Sequence, residues 1–249
     1  MVTGGTPGSN FVQAAAAAAA WAGLRCVLVL AGPRVPLHSH PNLAAATAWG
    51  AEVRFTGDPD RSSVDRLLPA VAAELAGRPL VVPRGGASAR GAEGYRLAID
   101  ELLAQLGDER PVVVVAAGAG GTLAGLVAGV VATGRTLRVV GASVSRPPDE
   151  VAGRVLALAR ELAALRGEPA PEPADVHLVD ARFAGHAVRS AQGDVAAALA
   201  LRTAGLVLDP IYTAKALAVL PGIATGRPAL FWHTGGLLDA VAALTAGES

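Results

Sequence analysis

The sequence predicts an α/β fold of two lobes, each a parallel sheet covered by helices. Strands apolar on both faces, such as "CVLVLAG" and "PVVVVAAG", alternate with helix-like segments along the chain. "SSVDRLLPAVAAELAG" opens on serines and closes on Gly77, a helix start-and-stop pattern. Composition agrees: 52% of the 249 residues are apolar and 17% charged, so a sizeable core can form and disorder is excluded.

The chain opens with "MVTGGTPGSNFVQ", a Gly-rich turn ending in two helix-capping residues, Ser9 and Asn10. Only Met1 and Val2 precede it as a strand. An Ala-rich helix follows over about residues 10–23, then the strand "CVLVLAG", the helix "PNLAAATAWG" and the strand "AEVRF". After the serine-led helix come a short strand "PLVVP", the helix "ARGAEGYRLAIDELLAQLG", the strand "PVVVVAAG", a helix over residues 122–132 and the strand "LRVVGASV". A long helix covers about residues 149–166, and "GEPAPEPA" is a surface linker. The strand "VHLVD", helices through "DVAAALALRT" and "TAKALAVL", the strand "ALFWH" and a helix after Gly235-Gly236 complete the chain. Residues 31–82 are expected to form a small lobe, and residues 1–30 with 83–249 the large one.

Twenty-one acidic residues balance twenty-one basic ones, which removes the electrostatic case for nucleic acid or an anionic membrane as partner. The single cysteine, Cys26, excludes an intrachain disulfide and a Cys-based metal cluster, and "RCVLVL" makes it a buried strand residue. The apolar run from Ala14 has no basic segment before it and is too short to span a bilayer, so a cytoplasmic location is expected. The basic residues comprise twenty arginines and one lysine, Lys215. Chemistry that needs a lysine amine must use Lys215 or borrow one.

Three loops could carry chemistry. In "VVVVAAGAGGTLAG" an apolar strand runs into Gly118, Ala119, Gly120, Gly121 and Thr122, where a helix starts. Converging N–H groups and the helix dipole make this a phosphate cup; a plain strand–helix turn with small packing residues is the alternative. It is neither a Walker A loop nor a clean G-x-G-x-x-G. "FWHTGG" places Thr234 at a strand's carboxyl end, as ligand contact or helix cap. "LDPIYTAK" offers Tyr212, catalytic or simply buried with its hydroxyl bonded; Tyr95 sits on a helix and packs. His38 and His40 in "PLHSHPN" lack Cys, Asp or Glu close by and read as a solvated loop, not a metal site. His177 and His186 are isolated and read the same way, and no metal is expected.

Taken in order, these pieces resemble the family of 1-aminocyclopropane-1-carboxylate deaminase and D-cysteine desulfhydrase, pyridoxal-phosphate (PLP) enzymes of fold type II, the tryptophan-synthase-β-like fold. Gly4-Gly5, Ser9-Asn10 and Gln13 match G-G-x-Q-S-N-x-x-x-Q with one extra residue in the turn. Pro83-Arg84-Gly85-Gly86 with Gly91, Gly94 and Tyr95 matches P-x-G-G-x-x-x-x-G-x-x-G-Y. "GLVLDPIYTAKAL" matches G-x-x-x-D-P-V-Y-x-G-K, and "HTGG" the C-terminal turn. The likeness runs over nearly the whole chain.

The resemblance implies PLP held by its phosphate on residues 118–122, with its ring nitrogen near Thr234 and its phenolic oxygen near Asn10. Ser9 and Tyr212 take the catalytic positions. It also implies an N-terminal region carrying a G-N-K motif whose lysine forms the Schiff base. The chain opens at the tail of the strand that follows this motif, so that region is expected to be missing, and Lys215 matches a different family lysine. The sequence departs again at "RFAGHAVRSAQGD", where family deaminases carry a tyrosine a few residues past R-F-A-G. The expectation is therefore a lyase or deaminase for a small amino acid, inactive alone, with PLP noncovalent and a homo-oligomer or partner chain covering the truncated end. The alternatives are a pseudoenzyme that binds a small anion or amino acid, or a cofactor-independent enzyme using Ser9, Tyr212 and His233. The Ser9 turn, the 118–122 loop and Thr234 are expected to converge on one cleft.

Overall fold

The computed structural model describes residues 1–185 and 187–245. They divide into two units, Met1–Gly86 and Ala87–Ser249.

In the first unit, β1 (Val2–Gly5), β2 (Val27–Leu30) and β3 (Glu52–Phe55) form a parallel sheet in the order β1-β2-β3. Side chains alternate across a strand, and β2 shows the consequence. Leu28 and Leu30 pack with Val12, Ala16 and Ala19 of α1 (Asn10–Trp21) and with Leu43 and Ala46 of α2 (Pro41–Ala48). Val27 and Val29 pack on the other face with Val64, Leu68 and Val71 of α3 (Ser62–Ala73). Cys26 is buried beside Leu28, as expected.

Four expectations are corrected here. Residues 1–30 belong with the small sheet, because β1 registers on β2 from Val2–Val27 to Gly5–Leu30 and β2 on β3. "PLVVP" forms a single bridge, Val81 with Val2, in which the Val2 N–H donates to the Leu80 carbonyl at 2.8 Å and the Val82 N–H to the Val2 carbonyl at 2.9 Å. The serines do not cap α3; the Asp60 carboxylate accepts from the Ser62 N–H at 2.9 Å instead. That helix ends at Ala73, ahead of Gly77.

In the second unit, β4 (Val112–Ala117), β5 (Arg138–Ser143), β6 (His177–Asp180) and β7 (Ala229–Trp232) form a parallel sheet in the order β6-β5-β4-β7. Val113, Val115 and Val139 face a core shared with α4 (Ala89–Leu106), α5 (Gly121–Thr133) and α6 (Pro148–Arg166). Val112, Val114, Val140 and Ala142 face Ala216 and Val219 of α8 (Thr213–Ala224). The remaining helices are α7 (Ala191–Ala204) and α9 (Leu237–Thr245). β-Branched valine suits a strand packed on both faces, and these runs are buried for that reason.

Helices α4 and α5 approach closely. A Cβ at Gly125 would lie 2.2 Å from the Ala92 carbonyl oxygen, and one at Gly129 would lie 2.8 Å from the Ile99 side chain. Arg96, its side chain 9% exposed, fastens α4 to the end of α6 through Glu168 at 2.8 Å and also pairs with Asp100. Two serines cap as their positions suggest: Ser88 accepts from the Gly91 N–H at 3.0 Å and Ser190 from the Gly193 N–H at 3.1 Å. Among the described residues no helix is long and apolar enough to cross a membrane.

Candidate functional site

All strands of the second sheet are parallel, so their carboxyl ends share one edge, where ligands bind in open α/β sheets. Gly118, Ala119 and Gly120 leave β4 there, and Gly121 and Thr122 begin α5. Gly120 stands at the N-cap with φ +91°, a left-handed conformation that glycine adopts without strain, and it offers no capping side chain. The first N–H groups of α5 therefore have no intrahelical or capping acceptor, and the helix dipole points its positive end at the same place.

Neighbouring groups crowd the three glycines of this turn. A Cβ on Gly118 would meet the Tyr212 ring at 3.3 Å, one on Gly120 would meet Val155 at 3.1 Å, and one on Gly121 would meet the Ala87 Cα at 3.2 Å. Three adjoining groups thus stand close against three glycines. A phosphate group fits such a turn by charge and by the small residues that form it.

Tyr212 is half-buried and stands at the start of α8, which is anchored by Asp209. The Asp209 carboxylate is buried and accepts from the N–H groups of Ile211 (3.1 Å), Tyr212 (2.7 Å) and Thr213 (3.0 Å), and from the Thr213 hydroxyl (2.6 Å). A Cβ on Gly236 would lie 2.8 Å from the same carboxylate, so Asp209 also abuts the turn that follows β7. Thr234 lies in that turn and is exposed. The first α9 bond runs from the Ala240 N–H to the Gly236 carbonyl, which puts Thr234 too early to be the helix cap. Thr122 and Thr234 thus leave adjacent strands at one edge, with Tyr212 against the glycine loop.

Ser9 and Asn10 belong to the other unit. Ser9 precedes α1, and its side chain makes no cap bond with that helix. Asn42, 1% exposed, donates to the Gly8 carbonyl at 3.2 Å and to Asn10 Oδ1 at 3.0 Å, so it fixes both the opening turn and the Asn10 amide. His40 holds the N-cap position of α2, His177 lies on β6, and His233 is exposed with its ring edge-on to Phe231. His186 lies outside the described residues.

Lys215 is fully buried in α8. Its ammonium donates to the carbonyl oxygens of Gly185 at 2.7 Å and Arg182 at 3.1 Å, and burial pushes its pKa down from the ordinary lysine value. Beside this turn the Arg182 guanidinium bonds to Asp180 and holds that carboxyl below its usual range. Sequence reasoning overlooked three of these roles. An Asp just ahead of a helix is a readable cap signal for Asp209, whereas nothing local marks Asn42 or the two carbonyls around Lys215.

Comparison with known proteins bears on this arrangement. A family model described as pyridoxal-phosphate dependent enzyme matches residues 1–235. D-cysteine desulfhydrase of Salmonella typhi is 34% identical over 252 residues, covering 95% of this chain and 76% of the relative. A crystal structure described as an ACC deaminase homologue superimposes with a TM-score of 0.89 at 30% identity, covering 98% of this chain and 77% of that one. A PLP-dependent aspartate racemase shares the fold alone, with a TM-score of 0.65 at 18% identity. The sheet order, the backbone cradle at the end of β4 and these matches agree on the tryptophan-synthase-β-like fold, and this chain belongs to the pyridoxal-phosphate dependent enzyme family.

Proposed function

We propose that the chain is the cofactor- and substrate-binding framework of a lyase or deaminase for a small amino acid, of the D-cysteine or aminocyclopropane carboxylate kind, and that alone it does not turn over. One pairing of observations carries this reading. The 118–122 loop enters α5 through Gly120 at φ +91° with no capping side chain, as an anion cradle would, while the one lysine in the sequence has its ammonium bonded to two carbonyl oxygens.

PLP, when bound, supplies an electron sink for a carbanion at the substrate Cα. The chain's own residues do the rest. N–H groups of residues 119–122 bind the phosphate, and Thr234 donates to the ring nitrogen. Asn10 donates through its amide NH₂, its oxygen being taken by Asn42. Ser9, free of any cap bond within α1, and Tyr212 move protons at the substrate. Such acid–base help is worth about 10²–10⁴ in rate. It does not replace an amine that anchors the cofactor and takes the Cα proton.

A second reading, a pseudoenzyme that binds PLP or a small anion without turnover, draws on the same engaged lysine. A visible spectrum with added PLP, before and after borohydride, tests both. Saturable binding without a trapped adduct supports the framework; no binding at all defeats it. Adding a segment that carries a G-N-K lysine then separates the two, since only the framework gains turnover. The chain also associates with itself or with a partner. Leu237, Val241 and Leu244 of α9 are exposed, next in sequence to β7 at the end of its sheet.

A further inference from the structure

Lys215 poses a question that the function above leaves open, namely why the one lysine of a chain with twenty arginines is wholly buried. Both of its acceptors belong to one tight turn. The Gly185 N–H donates to the Arg182 carbonyl at 2.9 Å, closing a four-residue turn, and the ammonium bonds the carbonyls at its two ends. Phe183, inside the turn, has φ +49°. A side chain with a Cβ holds that left-handed conformation only where its surroundings impose it. The turn follows β6 at the carboxyl edge of the sheet, the edge that carries the glycine loop and the Thr234 turn. On the other side Lys215 is one turn of helix from Tyr212, whose ring lies against Gly118.

We propose that Lys215 is a positioning residue: its ammonium acts as a built-in cation that fixes the 182–185 turn at the ligand-binding edge and ties it to the Tyr212 end of α8. Its bearing on ligand binding rests on the cofactor reading above. The chemistry explains the choice of residue. An ammonium is a compact point charge that fits between two convergent carbonyl oxygens, whereas a guanidinium is a wide planar fork. Arginine is abundant in this chain, yet here the compact cation stands. With both carbonyls engaged, the amine is unavailable for covalent chemistry on a cofactor.

Trypsin supplies the test, because Arg182 is itself a cleavage site inside the turn. Cleavage after Arg182, followed by mass spectrometry, is compared in the wild type, Lys215→Met and Lys215→Ala, with exposed Arg135 as internal reference. In Lys215→Met, with an unchanged circular dichroism spectrum, cleavage after Arg182 is expected to rise at least about tenfold while cleavage at Arg135 does not change. In Lys215→Ala, n-butylammonium is expected to restore protection and n-butanol is not. Unchanged cleavage after Arg182 in folded Lys215→Met overturns the proposal, as does equal rescue by the alcohol. Wholesale unfolding of both variants also overturns it, since the lysine would then support the entire fold. PLP titration of the same proteins keeps the two readings apart. A wild type that protects Arg182 but binds no PLP defeats the cofactor reading and leaves the positioning role standing.

Discussion

Gly120→Asp is the most direct challenge to the anion cradle. Two separable costs follow from the geometry. Gly120 has φ +91° and its added Cβ would press on Val155 at 3.1 Å, so any side chain disturbs the loop. A non-glycine residue there costs roughly 1–2 kcal/mol. If half to all of that falls on binding, Gly120→Ala weakens PLP or inorganic phosphate about tenfold, at about 1.4 kcal/mol per decade. Aspartate adds a negative charge beside the N–H groups proposed to hold the phosphate, and two unit charges about 5 Å apart repel by about 3 kcal/mol at an effective dielectric of about 20. Gly120→Asp is therefore expected to bind at least about 100-fold more weakly than Gly120→Ala. Titration by protein fluorescence, with phosphate as competitor, measures all three proteins. Equal loss in the alanine and aspartate variants would refute the reasoning, because charge would then have no part in it.

Without added chains, the protein plus PLP is expected to release no pyruvate or 2-ketobutyrate from D-cysteine or aminocyclopropane carboxylate. A borohydride-trapped PLP adduct on Lys215 with measurable turnover would contradict this. The acid limb of stability is expected to depend on Glu168. Burial alone would raise its pKa, but bonds from Arg96 and Arg166 together hold it below the ordinary value. A depressed carboxylate stabilises the fold above its unfolded pKa, and that contribution disappears as pH falls through the folded one. Arg96→Met is thus expected to cost about 1–3 kcal/mol in urea unfolding at pH 7, with the gap to wild type narrowing toward pH 3. Sedimentation at high concentration is expected to show association, and Leu237→Glu with Val241→Glu should reduce it; a monomer at every concentration would count against the exposed α9 face as an interface.

Most of the secondary structure was legible because each element states its own period. Four valines in a row before a glycine turn can be little but a buried strand, and the cradle after them is local in sequence. The unit boundary was not legible. β1 is the four residues Val2–Gly5, two of them glycine, and its place is decided by β2 some twenty residues on. "PLVVP" reads as a strand by composition, yet it pairs with β1 only through the single Val81–Val2 bridge, a partner some eighty residues away in sequence. Thr234 reads equally as a ligand contact or a cap because Gly-Gly hides where the helix begins; the Ala240–Gly236 bond removes the cap. Asn42 and Lys215 depend on partners thirty or more residues away. No local pattern encodes contacts of that kind, so only the folded chain reveals them.

The sealed position of Lys215 also makes the protein its own unfolding gauge. A protease that cuts only after lysine has a single site in this sequence, the bond to Ala216, and both residues are fully buried within α8. Cutting there requires the helix to open and leave its core. A brief pulse of such an enzyme along a denaturant series would then give two fragments in proportion to the opened population alone. Stability could be read from one gel band, with no label and no engineered site.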